Sequence, residues 1–399
     1  MSSSELTPLT QEKTQDLPFG SELMLLPDRI PVLFNLSSGK FESLSKNPFD
    51  ESEDIFPVAA FNSPGYVVSN VSAYEERPAA SFLPLFSYGG VGLSGDSFRS
   101  SVVLIDSEKR QDLREMPEEK VRSGAKELKK LMKDNRLREH ITKCALDYGC
   151  PAAKNFFLGR FEAPLPTSKS CNARCLGCIS LQDNSEIPHC QNRIVFTPTP
   201  SEIAEVALYH INRVKNSVVS FGQGCEGDPL MATDVIIPAI KMIREKTDTG
   251  TINMNTNASI PSKIEELFDA GLDSIRVSMN SVREDCYNAY YRPKGYTFKD
   301  VLESISVAGK KGFVSINYLN SPGVTDSTDE VDTLFNLLSK DSINQIQWRN
   351  LNYDPLRYWE SMGTCKDSIG MDNLIEKIKK NFPKLTHGYF NPPKERFKG

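Results

Sequence analysis

The sequence predicts an α/β fold: a partial parallel barrel of six β-α units, a (β/α)6 arrangement, preceded by a smaller, mostly β unit that ends in helices. Beyond residue 155, short apolar runs alternate with amphipathic helical stretches, the pattern of repeated β-α units on a parallel sheet. Before residue 106 the chain shows brief runs of β character cut by Gly, Pro, Ser and Asn. Each expected barrel strand is followed at its C-terminal end by polar or unusual residues that an apolar core would exclude.

In chain order, residues 1–18 are polar and are read as a disordered N-terminus. Residues 19–150 form a β-rich accessory region, with SELMLLP, IPVLFNL, YVVSNVSAY and SSVVLID as its strand-like runs. It closes on 117–147, where Val121, Ala125, Leu128, Leu131 and Met132 recur at spacings of three and four and predict a helix or helix pair. Residues 151–353 are the barrel core, with strands expected at 156–165, 217–222, 251–257, 274–280, 313–319 and 343–350. Helices fit at 201–214, 229–246, 261–270, 283–291 with 297–311, and 327–339. Residues 354–399 are read as a helical extension and tail.

With 39% hydrophobic and 25% charged residues, the 399-residue chain has the composition of a folded protein with a sizeable core. A net charge of −5 argues against a broad electrostatic grip on nucleic acid. No apolar run approaches the roughly 18 residues of a membrane span. The opening MSSSELTPLTQEKTQD lacks the organisation of a secretory signal, so a cytoplasmic location is expected. In that reducing setting nine cysteines point to metal or redox chemistry rather than to a disulfide framework.

Cys171, Cys175 and Cys178 form C-x3-C-x2-C directly after the first expected strand. A loop of this size can give three thiolates to a [4Fe-4S] cubane, leaving one iron without a protein ligand. An open coordination position is what separates catalytic metal sites from closed structural ones. A zinc site using His189 and Cys190, or three structural thiols, are the alternatives. Cys144, Cys150, Cys190, Cys225, Cys286 and Cys365 are scattered with no second tight motif and read as buried free thiols rather than as ligands of an auxiliary cluster, with Cys225 singled out because it lies in the loop after the second strand.

Through these cysteines the sequence resembles the radical S-adenosylmethionine (radical SAM) superfamily, and the resemblance extends over about 155–352. It implies a barrel of radical SAM type that binds a [4Fe-4S] cluster and S-adenosylmethionine. It also implies an enzyme, an oxidoreductase or a transferase, that generates a 5′-deoxyadenosyl radical to modify an unidentified substrate. Glu226, Gly227 and Asp228, followed by Pro229 and Leu230, resemble the Gly-Gly-Glu-Pro-type segment that holds the methionine amino group. Glu226 stands at the first glycine position and Asp228 at the glutamate position, and Asp228 equally suits a helix N-cap. Asn255, Asn257, Ser278 and Asn280 resemble the positions that bind ribose hydroxyls and the methionine carboxylate. Gly177 stands where the family often carries an aromatic residue beside the adenine.

Arg349, with Asn350, Asn352 and Tyr353, closes the sixth strand, where an arginine can clamp a carboxylate or phosphate of cofactor or substrate. Tyr290 and Tyr291, with Arg292 and Pro293, fall near the same mouth, either as packing or as a binding surface. The expected partners are a small-molecule, peptide or nucleic-acid substrate and an electron donor such as flavodoxin or ferredoxin. The competing reading is an iron-sulfur electron-transfer or sensor protein without S-adenosylmethionine turnover.

Overall fold

The structure, a computed structural model, describes every residue except 3, 4, 184, 185, 341, 364, 366, 398 and 399. Its N-terminal part is mostly β. A five-stranded sheet runs in the spatial order Gln15–Asp16, Ser97–Ser100, Gly89–Ser94, Val58–Phe61 and Glu22–Leu25, and a three-stranded one joins Lys40–Ser43, Arg29–Asn35 and Tyr74–Glu76. The segment read as disordered thus contributes an edge strand, Gln15–Asp16, paired with Ser100 and Arg99.

Three helices follow: α1 (Glu118–Leu131), α2 (Arg136–Leu146) and α3 (Pro151–Leu158). The first strand was expected over 156–165, but Phe156 and Phe157 belong to α3 and the strand β1 is only Glu162–Pro164. Pro151 at the start of α3 and Gly159 in a left-handed conformation at its end punctuate a helix there. A short apolar run alone cannot separate the two states.

The remaining barrel strands are β2 (Val218–Phe221), β3 (Thr251–Thr256), β4 (Ser274–Met279), β5 (Phe313–Asn320), β6 (Gln345–Asn350) and β7 (Thr386–Gly388). All neighbours pair in parallel, in sequential order, as a curled seven-stranded half-barrel. The seventh strand comes from the segment read as a helical extension. The intervening helices are α4 (Pro200–Arg213), α5 (Thr233–Arg244), α6 (Pro261–Asp269), α7 (Glu284–Tyr291), α8 (Phe298–Gly309) and α9 (Thr328–Leu338), within a few residues of expectation. After β6 come α10 (Pro355–Met362) and α11 (Met371–Asn381). No helix among the described residues is long and apolar enough to cross a membrane.

The strands alternate strictly. Ile252, Met254, Ile275, Val277, Ile316 and Trp348 are fully buried toward the helices. The intervening residues turn polar groups into the barrel, where Asn253 donates to Ser220 Oγ at 3.2 Å, Gln347 to Ser315 Oγ at 3.2 Å and Arg276 to Gln347 Oε1 at 3.1 Å. Asn391 lies across this polar interior. Its amide donates to Glu162 Oε1 on β1 at 2.9 Å, and its Oδ1 accepts from Gln347 Nε2 on β6 at 3.0 Å.

The β-rich unit seals the other end through backbone groups. Val68 N donates to Asn350 Oδ1 at 2.8 Å, while Asn320 Nδ2 donates to the Val68 carbonyl at 2.6 Å. A buried ion pair bolts the same contact: Arg29, 0% exposed, reaches Asp354 Oδ2 at 3.1 Å and Glu76 Oε1 at 2.9 Å.

Candidate active site

The cysteine loop after β1 is strapped on two sides by backbone hydrogen bonds. Gly227 N donates to Ser168 O at 2.6 Å and Asp228 N to Ser170 O at 2.9 Å. On the other side Arg174 N and Leu176 N donate to the carbonyls of Tyr291 and Tyr290 at the end of α7, at 2.9 and 3.0 Å. A Cβ at residue 227 would lie 1.9 Å from the Ser170 carbonyl oxygen, so this approach requires glycine.

Cys175 and Cys178 open onto a cavity of about 440 Å³ at the C-terminal ends of the strands, and Cys171 is half-buried at the start of the loop. Burial, and then the Asp228 carboxylate, push the Cys171 thiol up to about 11. Burial, then Cys171 and Cys178, raise Cys175 well above the usual thiol value. Cys171 and Cys175 therefore sit in a dry setting that resists bare thiolates, a cost that a cationic metal centre would relieve. Arg193 supports this, with Nη2 3.6 Å from Cys178 Sγ and Nε donating to Ser180 Oγ at 3.2 Å. Among the described residues these three cysteines are not a set whose ligand atoms all fall within 4.8 Å of one another, and no fourth cysteine lines the cavity.

Glu226 lines the cavity but spends its carboxylate on backbone. Oε2 accepts from Thr167 N and Ser168 N at 2.7 and 2.8 Å, and Oε1 from Gly222 N and Gln223 N at 2.8 and 2.7 Å. Burial pushes its pKa up to about 7 against the pull of these four amides. Asp228 caps the turn Pro229–Ala232, accepting from Leu230 N at 3.0 Å, and also accepts from Asn257 N at 2.6 Å and Thr256 Oγ1 at 2.8 Å.

Asn255 reaches the cavity while its Nδ2 donates to the Gly222 carbonyl at 3.0 Å, and Ser278 joins it from β4. Asn257 sits behind the cysteine loop, donating to Asn172 Oδ1 at 2.7 Å. Asn280 is turned away: its Nδ2 donates to the Cys286 carbonyl and the Tyr358 hydroxyl, both at 3.1 Å. Arg349 enters the cavity stacked 3.7 Å over the Tyr389 ring, with Nη2 donating to the Tyr389 carbonyl at 2.5 Å.

Several lining residues escaped the sequence reading. Arg276 comes from the middle of β4, and burial followed by the neighbouring Arg349 lowers its pKa to about 9. The strict alternation of β4 was the available signal for it. Tyr290, which the sequence places near the mouth, fills the space left by Gly177, since a Cβ there would meet the tyrosine hydroxyl at 2.8 Å. Asn62 from the β-rich unit and Asn317 from β5 complete the walls. Buried atoms of four of these side chains have no hydrogen-bond partner: Asn62 Oδ1, Asn317 Oδ1, Arg276 Nε and Arg349 Nε.

Comparison with known proteins agrees with this geometry. Residues 165–338, somewhat under half of the chain, match the family described as the Radical SAM superfamily. The chain is 24% identical over 223 residues to the GTP 3',8-cyclase of Lactiplantibacillus plantarum, covering 54% of this chain and 61% of that protein. It is 28% identical over 190 residues to the GTP 3',8-cyclase of Listeria monocytogenes serotype 4b, covering 47% and 52%. The chain thus spans about half to three-fifths of the length of these relatives. Similar solved structures include anSMEcpe with bound AdoMet, at TM-score 0.41 and 15% identity over 57% of this chain and 63% of that one. Methylornithine synthase is another, at TM-score 0.40 and 15% identity over 63% and 79%. The cofactors that go with the family, a [4Fe-4S] cluster and S-adenosylmethionine, fit a loop of three free thiols beside a cavity with unmet polar atoms. The half-barrel, the cysteine loop and the match over residues 165–338 give this chain a radical SAM domain.

Proposed function

We propose that this chain is a radical enzyme in which Cys171, Cys175 and Cys178 hold a [4Fe-4S] cluster, and in which Arg276 and Arg349 bind an anionic substrate across the cavity from it. The observation that carries the reading is the set of four unpartnered buried polar atoms, two of them guanidinium nitrogens, in the cavity that Cys175 and Cys178 share. Each unmet buried group costs about 1–3 kcal/mol, which a complementary ligand recovers. When bound, the reduced cluster and S-adenosylmethionine supply a 5′-deoxyadenosyl radical that takes a hydrogen atom from the substrate.

The chain's own residues hold and shield. Glu226 fixes both ends of the turn that frames the cysteine loop. Tyr290 offers an aromatic edge beside Cys175 and Cys178 where the sequence has Gly177. Asn255 and Ser278 present uncharged polar groups suited to hydroxyls and a carboxylate. Asn62 and Ser87 of the β-rich unit narrow the mouth and keep water out. The two arginines suit a carboxylate or phosphate, and the curated relatives' name makes a nucleoside triphosphate the first anion to try. We place the enzyme in the cytoplasm, served by a one-electron donor such as flavodoxin or ferredoxin.

Anaerobic incubation with dithionite and S-adenosylmethionine tests the reading. The parent forms 5′-deoxyadenosine and Cys175→Ala forms none. A variant that cleaves as well as the parent overturns the cluster assignment, and a parent that cycles by one electron without cleavage is an iron-sulfur carrier instead. Calorimetric titration with GTP should show binding that weakens at least tenfold in the Arg276→Gln, Arg349→Leu double variant.

A further inference from the structure

Four groups that the sequence scatters come together on the far side of the β2 loop. His140 and Cys144 stand four residues apart on α2, and so share one face of the helix. Cys225 comes from the barrel, in the loop that follows β2, and is buried. One ligand atom from each of His140, Cys144 and Cys225 lies within 4.8 Å of the others. Cys150, at the start of α3, lines the same small pocket as Cys144 and Cys225, and its amide donates to the Cys144 carbonyl at 3.0 Å. His140 Nε2 is buried and has no hydrogen-bond partner.

We propose that His140, Cys144, Cys150 and Cys225 form a structural site for one zinc ion, separate from the cysteine loop. Three thiolates and one imidazole make a Cys3His set, a usual closed site for structural zinc. Tetrahedral geometry with Zn–S near ~2.3 Å and Zn–N near ~2.0 Å places ligand atoms under ~4 Å apart, so the three atoms within 4.8 Å need only modest contraction, and the Cys150 sulfur joins them by turning in from the shared pocket. A cubane instead spreads its sulfurs over separate metal corners, and the close approach of these atoms disfavours it. Binding expels the thiol protons to solvent and leaves the imidazole neutral. The His140 ring, whose Nε2 is buried without a partner, is free to turn that nitrogen to the ion.

The site would act as a clamp. Cys225 directly precedes Glu226, whose carboxylate holds the amides of Thr167 and Ser168 at the entrance to the cysteine loop. Zinc therefore ties the helical pair α2–α3 to the turn on which the cavity depends. The proposal stands on its own geometry and does not draw on the cluster assignment.

The test is metal analysis of the full chain with its cluster reconstituted, in the parent and in a Cys144→Ser, Cys225→Ser double variant. The parent should retain one zinc per chain through dialysis against a mild chelator, with X-ray absorption fitting three sulfurs and one nitrogen. The double variant should lose that zinc while keeping its full iron content. A zinc-free parent overturns the site, as does zinc that persists in the double variant, or a Cys144–Cys225 disulfide peptide recovered from metal-free protein. Should the double variant fail to fold, cobalt(II) added to the zinc-depleted parent decides the question. Tetrahedral thiolate bands then support the site, and an octahedral spectrum overturns it.

Discussion

At the scale of single residues, close approaches set the site. A methyl group at residue 227 would run into the Ser170 carbonyl, so Gly227→Ala should displace the cysteine loop and lower iron bound after reconstitution, with 5′-deoxyadenosine formation falling at least tenfold. Glu226→Gln places an amide against N–H donors and leaves two of the four without an acceptor. It should cost about 1–3 kcal/mol in urea unfolding. A buried histidine gives a pH prediction. His210 Nε2 faces the Phe161 carbonyl at 3.2 Å, and burial lowers its pKa from 6.5 to about 4. Between those values the unfolded chain takes up a proton that the folded chain refuses, so stability falls as pH drops from about 6.5 to about 4. The loss is up to about 3 kcal/mol. His210→Gln should flatten that part of the profile when unfolding is compared at pH 7 and pH 5. The three loop cysteines were legible in the sequence because they are contiguous. His140, Cys144 and Cys225 were not, because their proximity exists only once α2 packs beside the β2 loop.

At the scale of elements, the β-α rhythm carried most of the fold. Helices α4 to α9 are flanked by caps, prolines and apolar periodicity that the sequence displays openly, as in the reciprocal Thr199–Glu202 and Thr297–Asp300 capping boxes. Two strands were misjudged for physical reasons. β1 is three residues long behind an apolar helix end, and β7 has no apolar run because only Thr386, His387 and Gly388 pair there. The polar barrel interior is written in the alternation of TINMNT, where Asn253 and Asn255 fall on every second residue. The ion pair between Arg29 and Asp354 joins the β-rich unit to the start of α10 with both partners buried. Asp354→Ala should therefore cost about 3 kcal/mol by leaving the buried guanidinium with Glu76 as its one remaining carboxylate, readable as a lower denaturation midpoint.

At the scale of the whole molecule, the half-barrel is completed by material from both ends of the chain. The strand Tyr66–Val68 is fastened to Asn320 and Asn350 near the mouth, while Asn391 spans from Glu162 to Gln347 through the polar interior. Truncation after residue 385 removes β7, Tyr389 and Asn391 together. It should abolish cooperative unfolding and expose the interior to dye binding. The β-rich unit also fixes how wide the mouth can be, since Asn62 and Ser87 stand on its loops. The Asn391 crossbar has a temporal meaning too. A ribosome makes residue 391 long after the cysteines, so on the nascent chain the gap between β1 and the β6–β7 edge stays unbridged. The Glu162–Gln347 bridge is therefore among the last contacts the chain can make.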